Sequence, residues 1–150
     1  MPETETPTVV HRKFKYENEI QGHAIPNCPP ADSEYYGPAV HFCHQPFDLT
    51  LDFQPSAFKI PRRLLQAPIQ EKCAHFGISF FISEEKARTE YNRAPWNEKT
   101  RDKIGRFFAT GTITAGLGVT CDLEIERGHF NLHEYDGVQL EQSFTISGNI

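Results

Sequence analysis

The chain has 150 residues, enough for one domain that buries roughly 70% of its unfolded surface. Twenty acidic against 15 basic residues leave a net charge of −5. That balance argues against a nucleic-acid module, which needs a basic face for phosphates, and no stretch approaches the ~18 apolar residues of a membrane span.

Met1 to Thr8 is polar and acidic, with neither the basic start nor the apolar centre of a leader. The expectation is a disordered lead-in over 1–8 and a single β-rich domain over 9–150. Twelve phenylalanines suit sheet better than helix bundle. Cys28, Cys43, Cys73 and Cys121 are irregularly spaced without a C-x-x-C pair. They read as reduced, buried thiols of a cytoplasmic protein rather than as a disulfide framework.

From Val10 to Ile20, Val10, Phe14, Tyr16 and Ile20 alternate with charged residues, which predicts a first strand with a charged outer face. Gln21 to Pro38 holds Pro26, Pro29, Pro30 and Pro38 and predicts an irregular connection carrying the adjacent Tyr35 and Tyr36. That loop is either a lid or a strap across an open sheet end. Ala39 to Gln54 alternates again, but Val40 and Phe42 are apolar on even numbers and Phe47, Leu49, Leu51 and Phe53 on odd ones. A slip of one residue containing Pro46 predicts a bulge or bend, with His44 at it.

Pro55 to Lys72 predicts a connector with a short helix opened by Pro61 and stopped by Pro68; Lys59, Arg62 and Arg63 form a small basic cluster on it. Cys73 to Ser83 predicts a strand with Ala74, Phe76, Ile78, Phe80 and Ile82 inward and Phe81 outward under some cover. Ser83 and Asn97 are N-cap residues for two helices separated by Pro95, a helical excursion over 83–106 with Trp96 at its corner. From Arg106 onward a meander is expected. Val119, Cys121, Leu123 and Ile125 face inward on odd numbers, Phe130, Leu132, Val138, Leu140, Phe144 and Ile146 on even ones, with turns at Arg127-Gly128 and Asp136-Gly137. The fold expected from these runs is mainly β: an antiparallel β-sandwich or flattened β-barrel of about seven strands.

Two clusters raise the question of metal. His41 and Cys43 share a strand face and are zinc-ligand types, but the phase turns that face outward and no second ligand pair follows. His129 and His133 would share a helix face, whereas on a strand they stand roughly 13 Å apart. No metal or cofactor is expected, and neither a Walker loop nor a G-x-S-x-G elbow occurs. The first functional reading is a non-catalytic binding or interaction domain. Its surface would be Trp96, Arg93, Tyr91 and Phe81, docking a protein partner or a second copy. The alternative is a small β-barrel enzyme (lyase, cyclase or isomerase-like) or a carrier for an apolar small molecule. Its cavity would lie under the 21–38 loop, over the small residues Ala109, Gly111 and Ala115, with His44, Tyr35 and Tyr36 converging on it.

Overall fold

The structure is a computed structural model that describes residues 12–150. The expected lead-in, and Val10 and His11 of the expected first strand, lie outside the described residues. Six strands build one sheet, antiparallel throughout: β1 (Gly37–Cys43), β2 (Ile78–Phe81), β3 (Phe107–Ile113), β4 (Gly118–Glu124), β5 (His129–Glu134) and β6 (Phe144–Asn149). Their order is β4-β5-β2-β1-β3-β6. Short helices are interspersed: α1 (Glu17–Gly22), α2 (Ser56–Lys59), α3 (Pro61–Gln66), α4 (Glu84–Arg93) and α5 (Glu98–Ile104). The architecture is therefore mixed, a single open sheet with helices, and not a seven-stranded sandwich or closed barrel.

The sheet is nevertheless curled. β3 and β4 lie four places apart in the order, about 19 Å in a flat sheet. Only residues 114–117 join them, with the Leu117 N–H on the Thr114 carbonyl. Five extended residue steps reach at most ~18 Å, so the sheet must roll to bring β3 and β4 together. Its concave side holds the largest core, with Ala39, Cys43, Ile78, Phe80, Ala109, Ile113, Phe130 and Leu132 from the strands and Phe53 and Leu140 from the connections. On the convex side Val40, Phe42, Phe81 and Phe108 meet Ala87 and Tyr91 of α4. This is the cover that the outward Phe81 called for. A third cluster, Ile20, Ile25, Ala57, Leu64 and Phe76, is built from α1, α2, α3 and the turn before β2.

Several expectations are corrected. From Arg12 onward the expected first strand does not form. Phe14 makes one isolated bridge to Tyr135, and Glu17–Gly22 turns into α1, burying Ile20. The phase slip after His44 is an exit from the sheet. The fully buried Asp52 carboxylate accepts the backbone N–H groups of His44 (2.9 Å) and Asp48 (2.8 Å), which folds 44–53 into a compact loop in place of a second half-strand. In the Cys73 run, residues 73–76 form a 3₁₀ turn and only Ile78–Phe81 is strand. The four thiols divide: Cys43 and Cys121 are free and buried, whereas Cys28 and Cys73 form a disulfide across 45 positions, beside the third cluster. In the C-terminal region only β4 and β5 form a hairpin of consecutive strands, turning at Gly128 (φ +63°), while β3 lies between β1 and β6.

Helix starts were better encoded. The Ser83 hydroxyl accepts the Lys86 N–H at 3.2 Å and the Asn97 side chain accepts the Thr100 N–H at 2.9 Å, so both expected caps open α4 and α5. Pro61 stands at the start of α3.

Candidate functional site

A cleft of about 310 Å³ opens where β1 and β2 part company. These strands pair only at Val40–Phe81. Continued, the register would set Phe42 opposite Ser79; instead the His41 ring is wedged in. Its Nδ1–H donates to the Ser79 carbonyl (2.8 Å) and its Nε2 accepts the Phe53 N–H (3.0 Å). The ring stacks on Phe53 at 4.8 Å, and burial holds its pKa down at about 3. A neutral imidazole with both nitrogens engaged is a structural wedge.

The cleft floor is the convex sheet face: Ser79 and Phe81 from β2, His129 and Asn131 from β5. Ser79 pairs in register with Asn131 and Phe81 with His129, so the four side chains share one face. The exposed Ser79 hydroxyl and His129 Nε2 share a hydrogen bond, and the His129 ring sits edge-on to Phe81 at 5.2 Å. Burial, helped by the nearby Arg127 charge, lowers the His129 pKa and so favours the neutral ring.

One wall comes from 54–77, with Ser56, Lys59, Arg63 and His75. Ser56 Oγ and His75 Nδ1 share a 2.9 Å hydrogen bond. The opposite wall comes from the helical excursion, with Glu90, Ala94, Trp96 and Ile104. Glu90 is already neutralised, held at 3.0 Å by Arg93 and at 2.9 Å by Arg127. The half-buried Lys59 ammonium, by contrast, makes no hydrogen bond or ion pair among the described residues. Burial pushes its pKa down to about 8, with the Asp52 charge working in the opposite direction. Arg63, exposed beside it, also has no ion pair among the described residues. A chain of net charge −5 thus keeps two cations without an ion pair among the described residues at an aromatic-walled cleft.

The residues singled out from sequence are distributed unevenly. Trp96 and Phe81 line the cleft. Tyr91 is buried behind Trp96, ring centroids 5.4 Å apart, with its hydroxyl on the Gly105 carbonyl at 3.0 Å. Arg93 is exposed and tied to Glu90. With Tyr91 buried and Phe81 only 3% exposed at the base of the cleft, these four do not form one exposed docking surface.

His44, Tyr35 and Tyr36 are not brought together, and none lines the cleft. His44 is a strut between the Asp52 carboxylate (2.7 Å) and the Asp102 carbonyl (2.6 Å). Burial works to lower its pKa, but those two bonds outweigh it and the net shift is upward. Tyr35 packs on Phe130 at 4.8 Å and donates to the Pro38 carbonyl, whereas Tyr36 is exposed. The space over Ala109 and Gly111 is filled by protein: a Cβ on Gly111 would strike the Ser143 carbonyl and the Phe144 ring. The face of His41 and Cys43 is turned inward, contrary to its expected phase, because the loop carrying Phe53 covers it. Burial pushes the Cys43 thiol up to about 12, so neither residue offers a free ligand atom.

Sequence reasoning passed over Ser79, His129 and Lys59 as a group. Lys59 stood out only as part of a basic cluster. Ser79 and His129 lie 50 positions apart and meet through the β2–β5 register.

No known family's model matches the chain, and no curated protein and no solved structure is significantly similar to it. No helix among the described residues is long and apolar enough to cross a membrane.

Proposed function

We propose that the cleft binds a small organic anion, a carboxylate or phosphate carried on a flat apolar group. The observation that carries this reading is Lys59, a half-buried ammonium on the cleft wall with no partner among the described residues. Holding a cation out of water is costly; the Asp52 charge offsets that cost only in part, without an ion pair among the described residues, and an anionic ligand supplies a direct counter-charge. Trp96, Phe42 and Phe81 offer apolar aromatic surface to the remainder of the ligand, and Ser56, Ser79 and Asn131 supply orienting polar groups. The volume, about 310 Å³, suits a single small metabolite.

Trp96 is the only tryptophan and stands in the wall, so its fluorescence reports occupancy directly. Titration with benzoate and with phenyl phosphate is expected to give a saturable change. Lys59→Met should weaken it at least tenfold while leaving the circular dichroism unaltered. No saturable response to either anion, or equal affinity in Lys59→Met, refutes the reading.

The Ser79–His129 hydrogen bond favours a second reading, hydrolysis of an activated ester. Ser79 Oγ would bond to the acyl carbon, with its proton passing to His129 and on to the departing alcohol. Water would then release the acid. Among the described residues no carboxylate hydrogen-bonds the other nitrogen of His129, which sets this site apart from a triad. A burst of nitrophenol from p-nitrophenyl acetate that vanishes in Ser79→Ala supports hydrolysis; identical rates in the two proteins exclude it.

A further inference from the structure

A second group of chemically capable side chains lies at the end of the cleft marked by Gly77 and Asn131. The Sγ atoms of Cys28 and Cys73 and one ring nitrogen of His133 all lie within 4.8 Å of one another. His133 is almost wholly buried, 2% exposed. Its one hydrogen-bonding contact among the described residues is a 3.8 Å approach of Nε2 to Cys73 Sγ. A buried imidazole normally spends its nitrogens on carbonyls or carboxylates; this one aims at sulfur. A Cβ on Gly77 would stand 2.8 Å from the Asn131 Cβ and 3.4 Å from His133 Nε2, so only a glycine lets the chain pass this close to the ring.

We propose that Cys28, Cys73 and His133 form a zinc site when the Cys28–Cys73 disulfide is reduced. A dithiol reductant transfers two electrons and two protons to the disulfide, which becomes two thiols while the reductant closes into its own cyclic disulfide. Zinc then displaces both thiol protons and binds two thiolates and the His133 Nε2. Zn–S near 2.3 Å and Zn–N near 2.0 Å at tetrahedral angles set S and N roughly 3.5 Å apart, close to the present 3.8 Å between Cys73 Sγ and His133 Nε2, while the two sulfurs, released from their bond by reduction, move apart to admit the ion. Thiolate and neutral imidazole are ligands that zinc favours. Water or an added small ligand completes the fourth position. The disulfide and the metal site are alternative states of one sulfur pair, so zinc affinity reports the redox state of the chain.

The test uses the full chain, oxidised and dithiol-reduced, under argon. Cobalt(II), which gives thiolate-to-metal charge-transfer bands and intense tetrahedral d–d bands, is titrated first and then displaced by zinc. The reduced chain is expected to bind one cobalt with both spectral signatures, and the oxidised chain none. Cys28→Ser and Cys73→Ser should remove the charge-transfer signature or weaken binding more than a hundredfold. His133→Gln should keep sulfur coordination but lose at least tenfold in affinity. Absence of the bands in the reduced chain, or unchanged affinity in His133→Gln, overturns the proposal. So does a reduced chain that is unfolded by circular dichroism and is not refolded by zinc.

Discussion

Asp52 illustrates how single residues settle this structure. Fully buried, it gathers the His44 imidazole and two backbone N–H groups onto one carboxylate, and the His44 ring passes the connection on to α5 through the Asp102 carbonyl. Removing one partner of such a pair strands the others without hydrogen bonds. Asp52→Ala is therefore expected to lower unfolding free energy by about 3 kcal/mol, read as a drop in the urea midpoint at constant slope. His41 and His133 act through what they cannot do. Both are buried and neutral, with pKa values near 3 and near 4, against 6.5 for the free side chain. Below pH 6.5 the unfolded chain takes up protons that the folded chain refuses, so stability is full above that value and declines as pH falls toward 4. Each group contributes a slope of up to about 1.4 kcal/mol per pH unit. Urea midpoints measured from pH 7 to pH 4.5 should fall steadily, and His41→Gln should flatten the decline. Little of this was legible in the sequence. A histidine on a strand shows its phase but not its neighbours, and β1 is covered on both faces, so phase did not separate inside from outside.

At the scale of elements, legibility followed locality. Ser83, Pro95 and Asn97 act within a turn of themselves, and both helices start where those residues put them. The β4–β5 hairpin likewise forms around Gly128. The Val10–Ile20 run failed because alternation over so few residues also fits a turn followed by a helix that buries one isoleucine. The 44–54 run failed because its odd-numbered apolar residues serve a loop: Phe53 plugs the concave core while Leu49 stays exposed. Strand order was out of reach altogether, since alternation assigns faces and not partners. The small residues of β3 show the consequence. Gly111 suggested room for a ligand, yet that room is taken by the backbone at Ser143 and by Phe144. Gly111→Val should push β6 from its position and destabilise the fold by roughly 1–3 kcal/mol through overpacking. Increased amide exchange confined to β6 and β3 would be its signature; uniform protection in the variant would contradict the close approach.

For the molecule as a whole, the curl of the sheet and the loops around it leave one cleft side cationic on an acidic protein. The 21–36 connection is used at the far edge, where Ser33, Glu34 and Tyr35 hydrogen-bond to Thr120 and Leu123 and cover β4, an edge that would otherwise invite pairing. That leaves the parting of β1 from β2 as the place where ligand-sized space meets charge. Lys59 faces buried Asp52, the neutral His41 and the neutral Cys43 thiol on the sheet side, and shares its wall with Arg63 and His75. Its pKa lies below the usual 10.5, at about 8, so the free protein holds the ammonium below that pH and loses it above. A bound anion favours the ammonium and raises its pKa again, which makes binding take up a proton on the alkaline side. The dissociation constant for benzoate should therefore be level from pH 7 to 7.5 and rise toward tenfold per pH unit above about 8. Lys59→Met should bind weakly and show no such rise. Trp96 fluorescence titrations between pH 7 and 9.5 measure both curves. A wild-type affinity that holds constant to pH 9.5 would remove Lys59 from the site.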